Sequence, residues 1–547
     1  MLYSVFDRDA SGAINGQTNL SVLARYHQNG SKTKRLGAVY TPAAVAFAMA
    51  RWAIRSQTDT VLDPACGDGA FLLAARIRLA ELGARTTKCV GVDIDRRAAA
   101  LSRAAVADFF EWARESRRFD VILANPPFIR SHLFRDESRQ LAFALMQEQG
   151  LRPSRLMSTW APFVAVSERL CAPKGRMAFV VPEELLHVGY AAEIRRYLLN
   201  RFRSVVVCLP GSALFSQVQQ AVVLLLCDRG GDAPPGLSTI AFDDLMKNRS
   251  STPDPAPTPD LDAKWTHLFL TKKERDLLAS AKRQLPWAPL AAYGRVEVGV
   301  VTGDNDFFLI PGADARRFPA DYLEPVVASA KDLSGVFYRP ADRKGALCNG
   351  RPAYLLSIPA LHDALPPALA AYLRQGRSRG VPERYKCRVR EPWYSVPSVW
   401  PAHALMLRQS DGLPRIVGLE THATATDTLH RVRWKDRSLG PRLCVGFLNS
   451  WTLLNCELSG RSYGGGVLEL MPSEANALPI PPPTADCERL AQVIDLAVRS
   501  REYARAVEVV DECVLGGTLK KKEIRELRAL WLRLVERRRS NRLNGKR

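Results

Sequence analysis

The apolar residues of the first half of the chain fall into short runs separated by amphipathic stretches, the rhythm of strands alternating with helices. Val61 and Leu62 close one run on Asp63, and Lys88–Asp95 (KCVGVDID), Phe119–Ala124, Gly175–Pro182 (GRMAFVVP), Ser204–Leu209 and Ala221–Cys227 are further runs of strand length. A helical region precedes Pro173 and a helix starts at Ala70, so the pattern predicts an α/β domain with an open, mostly parallel sheet. Thr252–Asp260 (TPDPAPTPD) interrupts it as a linker or exposed loop. Beyond lies helix-like TKKERDLLASAKR and then a glycine-punctuated, β-rich passage (GRVEVGVVTGDNDFFLI), which predicts a mixed α+β second domain. After Pro483 the chain reads helical, with Leu527, Leu530, Trp531 and Leu534 as an apolar stripe. The expected organisation is an arm over 1–36, a first domain over 37–245, a Pro-rich linker over 246–264, a second domain over 265–483 and a basic helical segment over 484–547.

Thr60–Ala75 (TVLDPACGDGAFLLAA) reads as strand, tight turn and helix, with Asp63 at the carboxyl end of the strand and Gly67 and Gly69 allowing backbone close to a ligand. This is the pattern of a nucleotide-binding turn. A dinucleotide fits poorly, because the G-x-G-x-x-G spacing is absent and an acidic residue stands where the first glycine would be. A cationic sulfonium amino acid fits better, since a carboxylate at the strand end can pair with its ammonium group. Asp93 ends the next strand, where it can accept from two ribose hydroxyls, and Asp108 with Phe109 offers an acceptor for an adenine amino group and a ring beside it. Each carboxylate alone reads equally as a loop residue or a helix cap. Their order, amino acid, then ribose, then adenine, carries the reading.

Ile122–Arg130 (ILANPPFIR) follows an apolar strand with Asn-Pro-Pro-aromatic. Two prolines fix φ and remove two N–H donors, so the chain after Asn125 turns stiffly with its carbonyls outward. The Asn125 amide oxygen and the Pro126 carbonyl can then both accept from one NH2 group, while Phe128 gives a flat face on which a base stacks, at roughly 1–3 kcal/mol. An exocyclic amine is a poor nucleophile until acceptors hold its hydrogens and favour a pyramidal nitrogen. The chemistry implied is direct methyl transfer to nitrogen by positioning and aimed dipoles, without a strongly shifted general base.

The formal net charge of +21, with arginine dominating the basic set, suits phosphate contacts, and it suits solubility or unspecific polyanion binding equally. Basic and aromatic residues interleave at RSRGVPERYKCRVREPWY, where Arg384, Lys386, Arg388 and Arg390 are candidates for DNA contact beside Tyr385, Trp393 and Tyr394. Lys520–Arg547 carries twelve basic and three acidic residues, either as a solvated face or as a DNA-facing arm. The eleven cysteines include no C-x-x-C pair and the eight histidines do not cluster beside them, so no metal site is expected and Cys66 reads as a small packed residue. The carboxylates of PDLDAKW are too close together for a nuclease site. No signal peptide is evident in MLYSVFDRDASG and the longest apolar runs are strand-length, so a soluble, cytoplasmic protein is expected.

From Gly37 to about Asp228 the chain resembles the gamma-class, TaqI-like adenine-specific DNA methyltransferases of restriction–modification systems. The resemblance implies a class I S-adenosylmethionine-dependent methyltransferase domain followed by a DNA-recognition domain, with double-stranded DNA as substrate, base flipping, a companion restriction endonuclease and a monomer. AVYTPAAVA resembles the stretch that contacts the methionine end of the cofactor, which points to Thr41 and Pro42. DPACGDG points to Asp63, Ala65 and Gly67, GVDID to Asp93 at the ribose, and ADF to Asp108 and Phe109 at the adenine. NPPF resembles the catalytic tetrad and points to Asn125, Pro126 and Phe128, the last standing where many members have tyrosine; stacking survives that change. Phe215 matches a later aromatic that packs on the flipped base, and it reads equally as a core residue before an apolar strand. An RNA or protein-glutamine methyltransferase sharing the tetrad, and a modification subunit needing a separate specificity chain, are the alternatives.

Overall fold

The computed structural model describes residues 41–115, 117–210, 221–231, 235–247, 254–255, 264–361, 364–463 and 466–543; Phe215, the 1–36 arm, Gly464, Gly465 and most of the 246–264 linker lie outside the described residues. The chain divides into two compact units, with the boundary between Leu268 and Phe269.

The first unit is built on a nine-stranded sheet, β1 (Val61–Asp63), β2 (Cys89–Asp93), β3 (Ala105–Val106), β4 (Phe119–Ala124), β5 (Cys171–Pro182), β6 (Ser204–Cys208), β7 (Val222–Asp228), β8 (Gly236–Ile240) and β9 (Asp254–Pro255), in the order β3-β2-β1-β4-β5-β7-β6-β8-β9. The pairs from β3 through β5 and the pair β6–β8 are parallel, and β7 runs antiparallel to both its neighbours. Each apolar run read from the sequence is a strand here. Asp254 and Pro255, expected in a linker, instead pair with Thr239 and Ser238 as a short edge strand. One face is covered by the Ala43–Ala53 and Ala70–Glu81 helices, whose Ala46, Ala50, Ala53, Ala74 and Ala75 are small enough to bring both helices close to Val61, Val121 and Leu123.

The chain leaves β1 towards one edge through β2 and β3, then returns to lay β4 on the other side of β1. The registers Val61↔Val121 and Leu62↔Ile122 put the carboxyl ends of the two strands side by side. In open α/β sheets this reversal of strand order opens the crevice where ligands bind.

The second unit is mixed α+β, as expected. Its largest sheet runs Gly294–Val298, Leu429–Trp434, Ala404–Leu407, Ile416–Leu419 and Phe337–Tyr338, antiparallel except for the last pair. The Lys272–Gln284 helix starts on a capping box, Thr271 accepting from the Glu274 amide and Glu274 from the Thr271 amide.

The basic C-terminus is not a separate segment. Leu527, Leu530, Trp531 and Leu534 of the Lys521–Leu543 helix are buried in one core with Met406, Phe447 and Trp451. Its arginines serve that packing: Arg528 pairs with Asp511 at 3.0 Å, Arg533 with Glu274 at 2.8 Å and the buried Arg538 with Glu457 at 2.9 Å. Of the two readings of this charge, packing is the one realised for these side chains. Among the described residues no helix is long and apolar enough to cross a membrane.

If this helix is core, Trp531→Ala lowers the stability of the second unit by about 3–5 kcal/mol, whereas Lys522→Gln on the exposed face stays within about 0.5 kcal/mol. Urea denaturation of the full chain resolves the two. Equal, small effects would mean that the helix is peripheral.

Candidate active site

The turn after β1 is held by its own backbone. The Cys66 amide donates to the Val92 carbonyl at 3.0 Å and the Gly69 amide to the Cys66 carbonyl at 2.8 Å. Gly67 and Gly69 lie in the left-handed region, at φ 51° and 89°, where a side chain is strained. Their surroundings differ. A Cβ on Gly69 would stand 2.9 Å from Ser102 Cβ, so that glycine serves packing, while a Cβ on Gly67 would meet no protein atom within 4 Å, so that glycine borders open space.

Asp93 joins the end of β2 to this turn, accepting from the Gly67 amide and from the Asp95 amide, each at 2.8 Å. Each carboxylate oxygen keeps a further lone pair. Asp63 is buried at the end of β1 and accepts from the Ala65 amide at 3.2 Å. Burial pushes its carboxyl well above the usual range; the Ala65 N–H opposes this, and the charges of Asp93 and Asp68 reinforce it. Cys66 is buried against Ser102, and burial holds its thiol protonated, the small packed residue the sequence implied.

Asp108 caps the Phe109–Trp112 turn, accepting from the Phe110 amide at 2.9 Å and from the Ser138 hydroxyl. Phe109 is buried, its ring stacked on Phe163 at 5.0 Å. Both residues therefore hold structural positions at the end of β3, with Ser138 and Phe163 as partners that the sequence did not single out.

The Asn-Pro-Pro-Phe segment leaves β4 at the edge of the sheet where the glycine turn leaves β1. Asn125 Nδ2 donates to Thr41 Oγ1 at 3.0 Å, which turns the amide oxygen away from Thr41. Thr41 is itself buried, and the Pro42 carbonyl starts the Ala43–Ala53 helix by accepting from the Val45 and Ala46 amides. Pro126 is buried and Phe128 half-buried against the sheet core. Thr159 was missed by sequence reading. Its hydroxyl donates to the Pro127 carbonyl and accepts from the Ile129 amide at 3.0 Å. A threonine before an apolar helix, thirty-two residues from Pro127, gives no signal in the sequence beyond that of a cap.

In the second unit the four candidate DNA contacts separate. Lys386 and Arg388 are exposed on the Tyr385–Arg388 helix. Arg384 pairs with Asp304 at 2.9 Å. Arg390 donates through its guanidinium to the Thr302 and Val301 carbonyls at 2.7 and 2.6 Å and so fixes a turn of its own unit. Gly466 packs closely on its own unit: a Cβ there would lie 2.7 Å from the Arg538 carbonyl oxygen.

Residues 21–256 match the N-6 DNA Methylase family and residues 262–515 the C-terminal domain of Type II methyltransferase M.Eco57I. Together the two matches span most of the chain and support an adenine-N6 DNA methyltransferase of a restriction–modification system. The methyltransferase is 20% identical over 478 residues to Type II methyltransferase M.AccI of Acinetobacter calcoaceticus, covering 81% of this chain and 85% of that one. It is 25% identical over 489 residues to Type II methyltransferase M.XamI of Xanthomonas campestris pv. amaranthicola, covering 83% and 86%. Among solved structures, its fold resembles the Type IIL restriction-modification enzyme MmeI in complex with DNA, with a TM-score of 0.51 at 12% identity over 94% of this chain and 77% of that one. It also resembles a nuclease-deletion mutant of the Type ISP enzyme LlaGI, with a TM-score of 0.52 at 11% identity over 91% and 58%. The two family matches meet between residues 256 and 262, close to the boundary of the two units. The methyltransferase is site-specific and acts on DNA within a restriction–modification system.

The elevated carboxyl of Asp63 has a consequence for stability. Its pKa is higher in the folded than in the unfolded protein, so between those two values the folded state binds more protons and stability falls as pH rises through that window. Asp63→Asn keeps the acceptor for Ala65 and removes the charge. The first unit of the variant is expected to be more stable than wild type at neutral pH, with the difference vanishing in acid below the unfolded carboxyl range. Urea titrations across pH measure this difference, and a variant less stable at neutral pH would contradict it.

Proposed function

We propose that this chain is a gamma-class enzyme that transfers the methyl group of S-adenosylmethionine to the exocyclic amine of adenine in double-stranded DNA, with the base flipped out of the helix. The observation that carries the reading is the adjacency, at the β1/β4 switch point, of a turn suited to a cationic amino acid and an Asn-Pro-Pro-Phe loop suited to an amine.

The residues present fit that cofactor. Asp63 is a buried carboxylate whose nearby charges, Asp93 and Asp68, are acidic, so a cation there relieves an unfavourable field. Gly67 borders open space, and Asp93 retains lone pairs for ribose hydroxyls while its backbone bonds fix its orientation. In this reading Asp63, Ala65, Gly67 and Asp93 hold the cofactor, with Pro42 and Thr41 at its amino-acid end and Asp108 and Phe109 on the adenine side. When bound, the cofactor supplies a methyl group on a positively charged sulfur. Asn125 Oδ1 and the Pro126 carbonyl accept the two amine hydrogens, which concentrates the lone pair on nitrogen, and Phe128 stacks on the base. With the cofactor bound, these residues would hold the amine nitrogen towards its methyl group, and the proton released from nitrogen on transfer would pass to water. Phe215 belongs to the same role and awaits its own test. The second unit reads the site, with Lys386 and Arg388 on the phosphates, and the enzyme works as a monomer that protects DNA from a companion endonuclease.

The test is a labelled-methyl assay of the purified chain on duplex DNA, RNA and protein. Label on DNA adenine alone is expected, with Asn125→Ala reducing transfer by about 10²–10³-fold or more while cofactor affinity is kept; full activity of that variant contradicts the assignment. Gly67→Ala, whose added methyl meets no protein atom but sits on a left-handed, strained residue, is expected to weaken cofactor binding at least about tenfold beyond any loss of stability seen in urea. Unchanged affinity by calorimetry would remove the cofactor from this turn.

A further inference from the structure

We propose that Thr159 is a positioning residue for the reaction, fixing the backbone on both sides of Phe128 so that the stacking ring and the Pro126 carbonyl are held for the incoming base. The proposal rests on the function proposed above and concerns a residue outside the Asn-Pro-Pro-Phe motif.

The loop cannot hold itself. Pro126 and Pro127 have no N–H to donate, so the usual turn hydrogen bonds are closed to them and their carbonyls need donors from elsewhere. Thr159 brackets the aromatic residue. Its hydroxyl donates to the carbonyl of Pro127, immediately before Phe128, and accepts from the amide of Ile129, immediately after it. Its own amide donates to the Ile129 carbonyl at 3.0 Å. One hydroxyl thus uses both its donor and its acceptor capacity on a single loop residue's flanks. By occupying the Pro127 carbonyl it also takes that oxygen out of competition with the Pro126 carbonyl for the amine.

The position of Thr159 in its own element makes this use unusual. It is the residue before the Trp160–Arg169 helix, where a threonine ordinarily accepts from an amide in the first turn. Here it has helical dihedrals, φ −58° and ψ −31°, and makes no such bond. The side chain that could cap the helix is turned to the loop instead, a departure from local preference of the kind found at functional sites. Its base is rigid, since Thr159 and every residue from Trp160 through Glu168 is buried. Thr159 touches neither amine nor methyl donor in this account and acts through the loop.

The test compares Thr159→Val, which keeps the shape and loses the hydroxyl, with Thr159→Ser, which keeps the hydroxyl, in the full-length protein under single-turnover conditions. The valine variant is expected to lose about 10–100-fold in the methyl-transfer rate, as for a displacement of about 1 Å at a reacting group, with cofactor and DNA affinities unchanged within about twofold. Serine is expected to restore most of the rate. Wild-type rates in the valine variant, or a serine variant as slow as valine, would overturn the proposal. Hydrogen exchange at the Ile129 amide of the wild-type protein gives a readout that needs no variant to fold: strong protection is expected, and exchange as fast as an open loop would mean that the clamp is absent. A wild-type chain that methylates no DNA, yet protects Ile129, would instead defeat the functional reading and leave the clamp standing.

Discussion

The parallel pairing of β1 with β4 is the constraint on which the site depends. Val61 against Val121 and Leu62 against Ile122 fix the register, and a parallel register carries both chains out of the sheet at the same edge. Asp63 and Asn125 therefore leave the sheet at the same edge although they are far apart in the chain. A slip of one residue would turn the apolar set of either strand to the opposite face, and with it the carboxylate or the amide. The hydrophobic core under the Ala43–Ala53 and Ala70–Glu81 helices thus fixes the relative position of the two strand ends.

Around that edge the fold accepts local costs. A buried carboxylate among other carboxylates, two left-handed glycines, a proline pair without donors and a helix whose threonine does not cap it are each unfavourable taken singly. All lie on the segments that follow β1 and β4 or are hydrogen-bonded to them. They make sense together if these segments are shaped for a cation beside a planar base, since the ligand then supplies the positive charge that the buried carboxylate lacks.

The net charge of +21 is distributed in a similarly informative way. Much of the arginine content is internal scaffolding in the second unit: Arg538 on Glu457, Arg528 on Asp511, and Arg499 bridging Asp495 and Asp342. Composition alone cannot separate such pairs from phosphate contacts, because an arginine that binds an internal carboxylate and one that binds DNA look alike in a sequence. For the same reason the sequence does not separate Arg390, which donates to the Thr302 and Val301 carbonyls, from the exposed Lys386 and Arg388.

What the sequence made legible was whatever is local. The strand runs, the glycine turn after Asp63 and the stiff loop after Asn125 each follow from neighbouring residues, and the sheet places them as that pattern implied. Illegible were the partnerships made across the fold: Thr41 with Asn125, Thr159 with Pro127 and Ile129, Phe163 with Phe109, and the pairing of Asp254–Pro255 with β8 inside an apparent linker. The central claim is that the adjacent ends of β1 and β4 join a methyl donor to an adenine amine. Modified-base sequencing of DNA from a methylation-free host expressing either this chain or its Asn125→Ala variant tests it most directly. The account predicts N6-methyladenine at one recurring motif with the wild-type chain and none with the variant. Unmodified DNA despite folded, cofactor-binding protein, or the same methylation with both chains, would contradict it.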